Sequence, residues 1–212
     1  MIGLTKTLAR EFGATDIVVT NRTAERAEQL AERVSGSVVP FDRIVDVLGG
    51  VDVLLNNAGG SARMPTQEIT DEVWQRALDL KLFSAIRLVR LVAPGMRERR
   101  WGRILNVLNT LAKSPPGGSA PTSVTRAAGL AYTKVLSHEL APFNVLVNAL
   151  CIGRIESEQW PRFHQADAPE LSYGDYLARE GRKIPLGRLG KAEEFAALGW
   201  NGDDLNRICG TA

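Results

Sequence analysis

Val53-Leu54-Leu55-Asn56-Asn57-Ala58-Gly59 is the stretch that decides the fold of this chain. An apolar run stops abruptly at a small, polar turn. The pattern reads as a buried parallel strand that delivers a tight turn at its carboxyl end. In an open α/β sheet, ligands sit beyond the carboxyl ends of the strands. Asn56–Gly59 is therefore where a ligand is expected.

Outward from this turn, strand-like and helix-like segments alternate, which favours a parallel sheet covered by helices. Asp16–Thr20, Ser37–Phe41, Asp52–Leu55, Gly102–Leu108 and Val145–Leu150 read as strands. Leu4–Phe12 reads as a helix closed by Gly13, and Thr23 caps an amphipathic helix to about Val34. Thr70 starts a long helix, with Asp71 and Glu72 at the positive end of its dipole. Val73, Leu80, Phe83, Ile86, Leu88 and Leu91 give it a buried side, and Pro94 is expected to kink it. After the Pro/Gly loop Ser114–Pro121, a further helix runs from about Thr122 to Leu140. Residues 154–185 read as a long, irregular insert holding Trp160, Phe163, Tyr173 and Tyr176. A loop of that length in a compact domain is usually functional.

The 212 residues, 44% of them hydrophobic, suit one globular domain over 1–212. A net charge of +2 argues against nucleic acid or a membrane surface as partner. Cys151 and Cys209 make neither a disulfide framework nor a metal motif, so a reduced, cytoplasmic setting is expected. His138 and His164 lack clustered ligand partners, so no metal is expected. No apolar run is long enough to cross a bilayer, and the start has no signal-peptide pattern.

The Asn56-Asn57-Ala58-Gly59 turn resembles that of the short-chain dehydrogenases/reductases, from Gly3 to about Glu194. Gly102-Arg103-Ile104-Leu105-Asn106-Val107, Thr122-Ser123-Val124-Thr125-Arg126-Ala127, Glu139–Pro142 and Val147–Ala149 continue the likeness in register. The resemblance implies a Rossmann-like, doubly wound α/β fold, a nicotinamide cofactor, a small carbonyl or alcohol substrate and a homodimer or homotetramer. Met1-Ile2-Gly3 looks like the end of the family's glycine motif, and Cys209–Ala212 like the approach to its last strand. The first and last strands are therefore expected to be missing, with the crossover between Phe41 and Asp52 also short. A truncated, internally shortened or engineered chain is the expectation.

On the cofactor side, the resemblance assigns Gly3, Asn21, Arg22, Asp42, Asn57, Ala58, Gly59, Gly153 and Ser157. Arg22 stands where an arginine accommodates a 2′-phosphate, which favours NADP while leaving NAD possible. Val18–Ala31 also resembles the NADP-binding turn of shikimate dehydrogenase and glutamyl-tRNA reductase, over that single unit.

On the catalytic side the family pattern breaks. Lys81 stands in place of the family's asparagine, Asn109 of its serine, Thr122 of its tyrosine and Arg126 of its lysine. A threonine hydroxyl does not ionise near neutral pH as a poised phenol can, and arginine does not relay protons. Asn109 can still donate to a carbonyl oxygen, and Arg126 can grip ribose, phosphate or an acidic substrate. Lys81 can act as an acid only if burial lowers its pKa. The Asn-Ala-Gly-Gly turn, Asp79-Leu80-Lys81 and Arg126 resemble a divergent subgroup related to β-ketoacyl carrier-protein reductases. Two functions stand: an oxidoreductase with a modified active site, whose insert covers the substrate, or a non-catalytic binder of dinucleotide or small molecule.

Overall fold

A computed structural model describes residues 18–19, 24–40, 43, 46, 50–60, 63–157 and 159–199. The expected helix Leu4–Phe12, together with Gly3, Asn21, Arg22 and Asp42, lies outside the described residues. Contacts divide the chain into two compact units, with the boundary between Ile152 and Gly153.

The first unit contains β1 (Val18–Val19), α1 (Ala24–Val34), β2 (Ser37–Val38) and β3 (Val53–Asn56). It continues through α2 (Asp71–Leu78), a π-helical turn (Asp79–Phe83) and α3 (Ser84–Arg99). β4 (Gly102–Asn109), α4 (Ala120–Leu140) and β5 (Val145–Ile152) complete it. Among the described residues the strand pairings are parallel, in keeping with the alternating sequence pattern.

The strand expected over Ser37–Phe41 is shorter than predicted, since Val39 and Pro40 lie outside β2. Among the described residues β1 and β2 pair at Val18 with Ser37 and at Val19 with Val38. Among the described residues they form their own sheet, apart from β3-β4-β5. They nonetheless share one core: Val18 and Val39 pack with Leu54, Ile104, Val145 and Val147. Leu88, Val89, Val92 and Met96 of α3 and Leu136 and Leu140 of α4 close that core. Met96 is fully buried against Gly102, where an added Cβ would meet its sulfur at 2.5 Å. Burying side chains of this size stabilises by roughly 1.5–3 kcal/mol each.

The strands β4 and β5 enter the sheet from matching turns. Arg100 and Asn144 both adopt left-handed backbone, with φ of 53° and 57°. Asparagine tolerates that region well. The Asn144 amide donates to the Arg100 carbonyl at 3.1 Å, and the Arg100 guanidinium donates to the Pro142 carbonyl at 3.0 Å. The two turns thereby hold each other, which fixes the register in which Gly102 faces Val145.

The long helix predicted from Thr70 is interrupted at Asp79–Phe83, while Pro94 lies inside α3. A π-turn inserts an extra residue into an α-helix and is often found at functional sites. The Ser84 hydroxyl donates to the Leu80 carbonyl at 2.7 Å within this turn.

The second unit holds α5 (Trp160–Asp167), α6 (Tyr173–Gly181) and α7 (Ala192–Gly199). The segment expected to be irregular over 154–185 is thus largely helical. Pro161 stands in the first turn of α5, where a missing N–H costs nothing. The Ser172 hydroxyl accepts from the Asp175 N–H at 3.1 Å and caps α6. Trp160, Ala168, Tyr176 and Leu189 form a small core of their own. Glu180 is buried and is met by Arg154 at 2.6 Å, Arg179 at 3.3 Å and Lys183 at 2.5 Å.

Candidate functional site

The site forms where β3 and β4 end. Asn56 is the last residue of β3 and pairs in register with Asn106 in the middle of β4. The Asn56 amide donates to Asn106 Oδ1 at 2.8 Å, and the Asn106 amide donates to Thr133 Oγ1 at 2.9 Å. The Thr133 hydroxyl then donates to the Gly129 carbonyl at 2.8 Å. This chain of side chains ties the turn after β3 to β4 and to α4. Asn106 and Thr133 are both buried, so the bonds replace water that neither group can reach.

Thr122 and Arg126 lie one helical turn apart on the inward face of α4, at 1% and 7% exposure. Arg126 Nη1 donates to the Val107 carbonyl at 2.7 Å. Arg126 Nη2 lies against Gly59, in the place a β-carbon there would need. Arg126 Nε is buried without a hydrogen-bond partner. Burial drives the guanidinium pKa down to about 10, with Cys151 opposing that shift. At neutral pH the group remains charged.

Lys81 lies on the π-turn and is 7% exposed. Burial, and then the neighbouring Arg126 charge, hold its ammonium pKa down at about 8. A lysine in that range exchanges protons near neutrality. Among the described residues, no carboxylate forms an ion pair with Lys81 or Arg126. Asn109 ends β4, and its side-chain oxygen is buried without a partner.

The structure thus gathers Gly59, Lys81 and Arg126 and places Thr122 and Asn109 on the adjoining ends of α4 and β4. Asn57 is half-buried in the turn and Ala58 is exposed. Gly153 and Ser157 belong to the second unit, where the Ser157 carbonyl accepts the Trp160 N–H at 3.1 Å. Asn106 and Thr133 were not singled out as site residues. Their signal was a polar residue inside the apolar run Ile104–Leu108 and another on the inward face of α4. Among the described residues, no helix is long and apolar enough to cross a membrane, and no His/Cys/Asp/Glu group is arranged for a metal ion.

The short chain dehydrogenase family profile matches residues 38–167, which span the turn, Lys81, β4, Thr122, Arg126 and β5. The chain belongs to the short chain dehydrogenase family. Within it, this dehydrogenase-family chain is 40% identical over 171 residues to a Streptomyces virginiae protein named as a ketoacyl reductase of the monensin polyketide synthase. That match covers 78% of this chain and 66% of the relative. A second relative, from Streptomyces coelicolor and named as a ketoacyl reductase, is spanned over 61% of its length. The chain therefore spans less than two thirds of these curated relatives. Among solved structures, a Pseudomonas aeruginosa PAO1 short chain oxidoreductase containing an atypical catalytic center is 34% identical, with a TM-score of 0.78. The likeness covers 93% of this chain and 84% of that one. The NADPH-bound structure of the Pseudomonas aeruginosa oxidoreductase superposes with a TM-score of 0.76 at 32% identity, over 93% of this chain and 83% of that one.

Proposed function

We propose that the chain is an NADP(H)-dependent oxidoreductase that interconverts a carbonyl and an alcohol at a modified active site. The observation that carries this reading is the meeting of Lys81, Arg126 and the Asn56–Gly59 turn at the carboxyl ends of β3 and β4. The NADPH-bound Pseudomonas aeruginosa relative, with its atypical catalytic center, supports the choice of cofactor. The residues present suit a dinucleotide. Gly59 leaves room beside a guanidinium, and buried polar atoms of Asn56, Asn109 and Arg126 await partners. Asn57, Ala58 and Gly59 would hold the cofactor beside the turn, with Arg126 toward its ribose; NAD would be held the same way but without a 2′-phosphate. When bound, the cofactor supplies or accepts the hydride.

The protein's own part is orientation and proton delivery. Asn109 and Thr122 offer an amide and a hydroxyl to the substrate oxygen. Lys81 Nζ gives that oxygen its proton in reduction and recovers one from water afterwards. Arg126 stays charged and stabilises the negative charge that develops on the oxygen. Helix faces support a homodimer or homotetramer, since Leu80, Phe83, Leu91, Val124 and Val135 are exposed apolar residues on the π-turn, α3 and α4. The cysteine content supports a cytoplasmic home, and we take 1–212 as one functional domain.

The test is titration with NADPH and NADH by tryptophan fluorescence, followed by NADPH oxidation with ketones, oxo acids and β-ketoacyl thioesters. NADPH-selective binding with turnover of one class is expected. Tight cofactor binding without turnover of any would overturn the oxidoreductase reading and leave a dinucleotide-binding protein.

A further inference from the structure

The π-turn inverts the amphipathic pattern of the helix that carries it. Leu80 and Phe83, read from the sequence as part of the buried side, are 42% and 37% exposed, while Lys81 between them is 7% exposed. Burying an ammonium and exposing large apolar side chains both cost free energy. No residue in Asp79–Phe83 breaks a helix, so the same residues could also form a plain α-helix. The π register therefore needs contacts that a plain helix lacks. Asp79, the first residue of the turn, makes two contacts that reach to either side of it. Asp79 Oδ2 accepts from the Gln75 side chain of α2 at 3.1 Å, and Asp79 Oδ1 accepts from Arg87 Nη2 of α3 at 3.2 Å. The Arg87 guanidinium also lies over the ring of Phe83, the last residue of the turn, at 5.5 Å from its centre.

Asp79 and Arg87 stand eight residues apart. In an α-helix, at about 100° per residue, that separation places them roughly 80° apart around the axis. The π-turn takes up one residue, and the seven remaining steps bring the two within about 20° of one face. The pair is thus aligned in the π register and splayed in the α register. We propose that Asp79 and Arg87 are positioning residues for Lys81: their pairing across the turn selects the register that carries its ammonium inward. Arg87 is half exposed, and ion pairs of that kind add little to the stability of a whole fold. Here the pair has a narrower task, since it separates two registers of one short segment. The pairing stands on these contacts; its consequence for rate rests on the oxidoreductase reading above, in which Lys81 delivers the proton.

The test uses Asp79→Arg and Arg87→Asp, which each reverse one charge, and the double variant, which restores an opposed pair. Asp79→Asn is the milder companion should a reversal fail to fold. Labelling of Lys81 by acetic anhydride is followed against pH by mass spectrometry, with the exposed Lys134 as reference. In the parent, labelling should pass its midpoint at a pH of about 8. Each single variant should move that midpoint upward by about one unit or more, toward the ordinary 10.5, as the ammonium meets water. Loss of the Asp79 charge alone would move it the other way, because a nearby carboxylate favours charged lysine. Arg126, the other charge acting on Lys81, is the same in every variant. The kcat for reduction should fall by about tenfold or more in the single variants. The double variant should recover both readouts. A midpoint that stays or falls in the single variants overturns the proposal, as does a double variant that recovers neither readout. A shifted and rescued midpoint without NADPH-dependent turnover in the parent keeps the pairing and sinks the oxidoreductase reading. Turnover in the parent with an unmoved midpoint in the variants does the reverse.

Discussion

The Arg126 guanidinium fills the space that a β-carbon on residue 59 would occupy. Neither group can easily give way. Arg126 Nη1 is held by the Val107 carbonyl at 2.7 Å, and the guanidinium is buried. Glycine at 59 is therefore a condition for the arginine's position. Gly59→Ala should displace the guanidinium, lowering stability by about 1–3 kcal/mol through overpacking. NADPH affinity should fall by about tenfold or more, equal to ~1.4 kcal/mol. Fluorescence titration beside a thermal melt checks both; an alanine variant that binds like the parent would show that the arginine is free to move.

Lys81 sets stability against function. Its pKa in the folded chain is about 8, against an ordinary 10.5, so folding disfavours its charged form. The penalty is complete below pH 8 and is relieved as pH rises from 8 to 10.5, where the unfolded chain binds more protons. Lys81→Met should raise the melting temperature at pH 7, flatten the stability profile in that window and depress reductase activity by about a hundredfold or more. Denaturant midpoints across the pH range provide the stability readout. A methionine variant no more stable than the parent would mean that the ammonium is well solvated.

The same group gives reduction a pH signature. A proton donor with a pKa of about 8 is spent as pH rises through that value. Arg126 faces it from α4, and Asp79, on its own turn, is engaged by Arg87. The kcat for reduction should fall above pH 8, while oxidation in the reverse direction improves. A Lys81→Gln variant should lose this limb of the profile and keep whatever limb belongs to other groups.

Asn106 is predicted to be a positioning residue. Replacing it with leucine leaves the Asn56 amide and the Thr133 hydroxyl without this partner, at a cost of about 1–3 kcal/mol. The turn it anchors holds Asn57–Gly59, so KM for NADPH should rise more than kcat falls. Proportional loss of both through unfolding alone would point to a purely structural role.

Glu180 anchors the second unit. Burial pushes its carboxyl pKa up, but hydrogen bonds from Lys183 and Arg154 outweigh that, and the net shift is downward. Its contribution is therefore complete above the usual carboxylate range and is lost as pH falls through the lowered value. Glu180→Gln should lower the melting temperature at pH 7, with the difference from the parent shrinking toward acid. Persistence of the full difference at low pH would mean that packing, and not charge, accounts for the loss.

The sheet was readable because β4 and β5 are short, largely apolar and mostly buried runs set between helix-like segments. α4 was placed by the Thr122–Arg126 spacing and the Pro/Gly loop before it. The π-turn was not readable, because no residue in Asp79–Phe83 breaks a helix. The helices α5 and α6 carried signals that went unused, namely Pro161 in a first turn and Ser172 three residues before Asp175. At the site, residue types indicated what Lys81 and Arg126 could do. Their mutual closeness, and the absence of a described carboxylate, depended on contacts between segments far apart in sequence.

The π-turn also makes the chain length between α2 and α3 a chemical variable. An α-helix advances about 100° per residue. Deleting one residue within Asp79–Phe83 would rotate α3 by that angle relative to α2. Val89, Val92 and Met96 could then keep their places in the core only if Lys81 left the site, or Lys81 could stay only if that trio turned outward. The helix register of α3 and the position of Lys81 are therefore set by one and the same residue count.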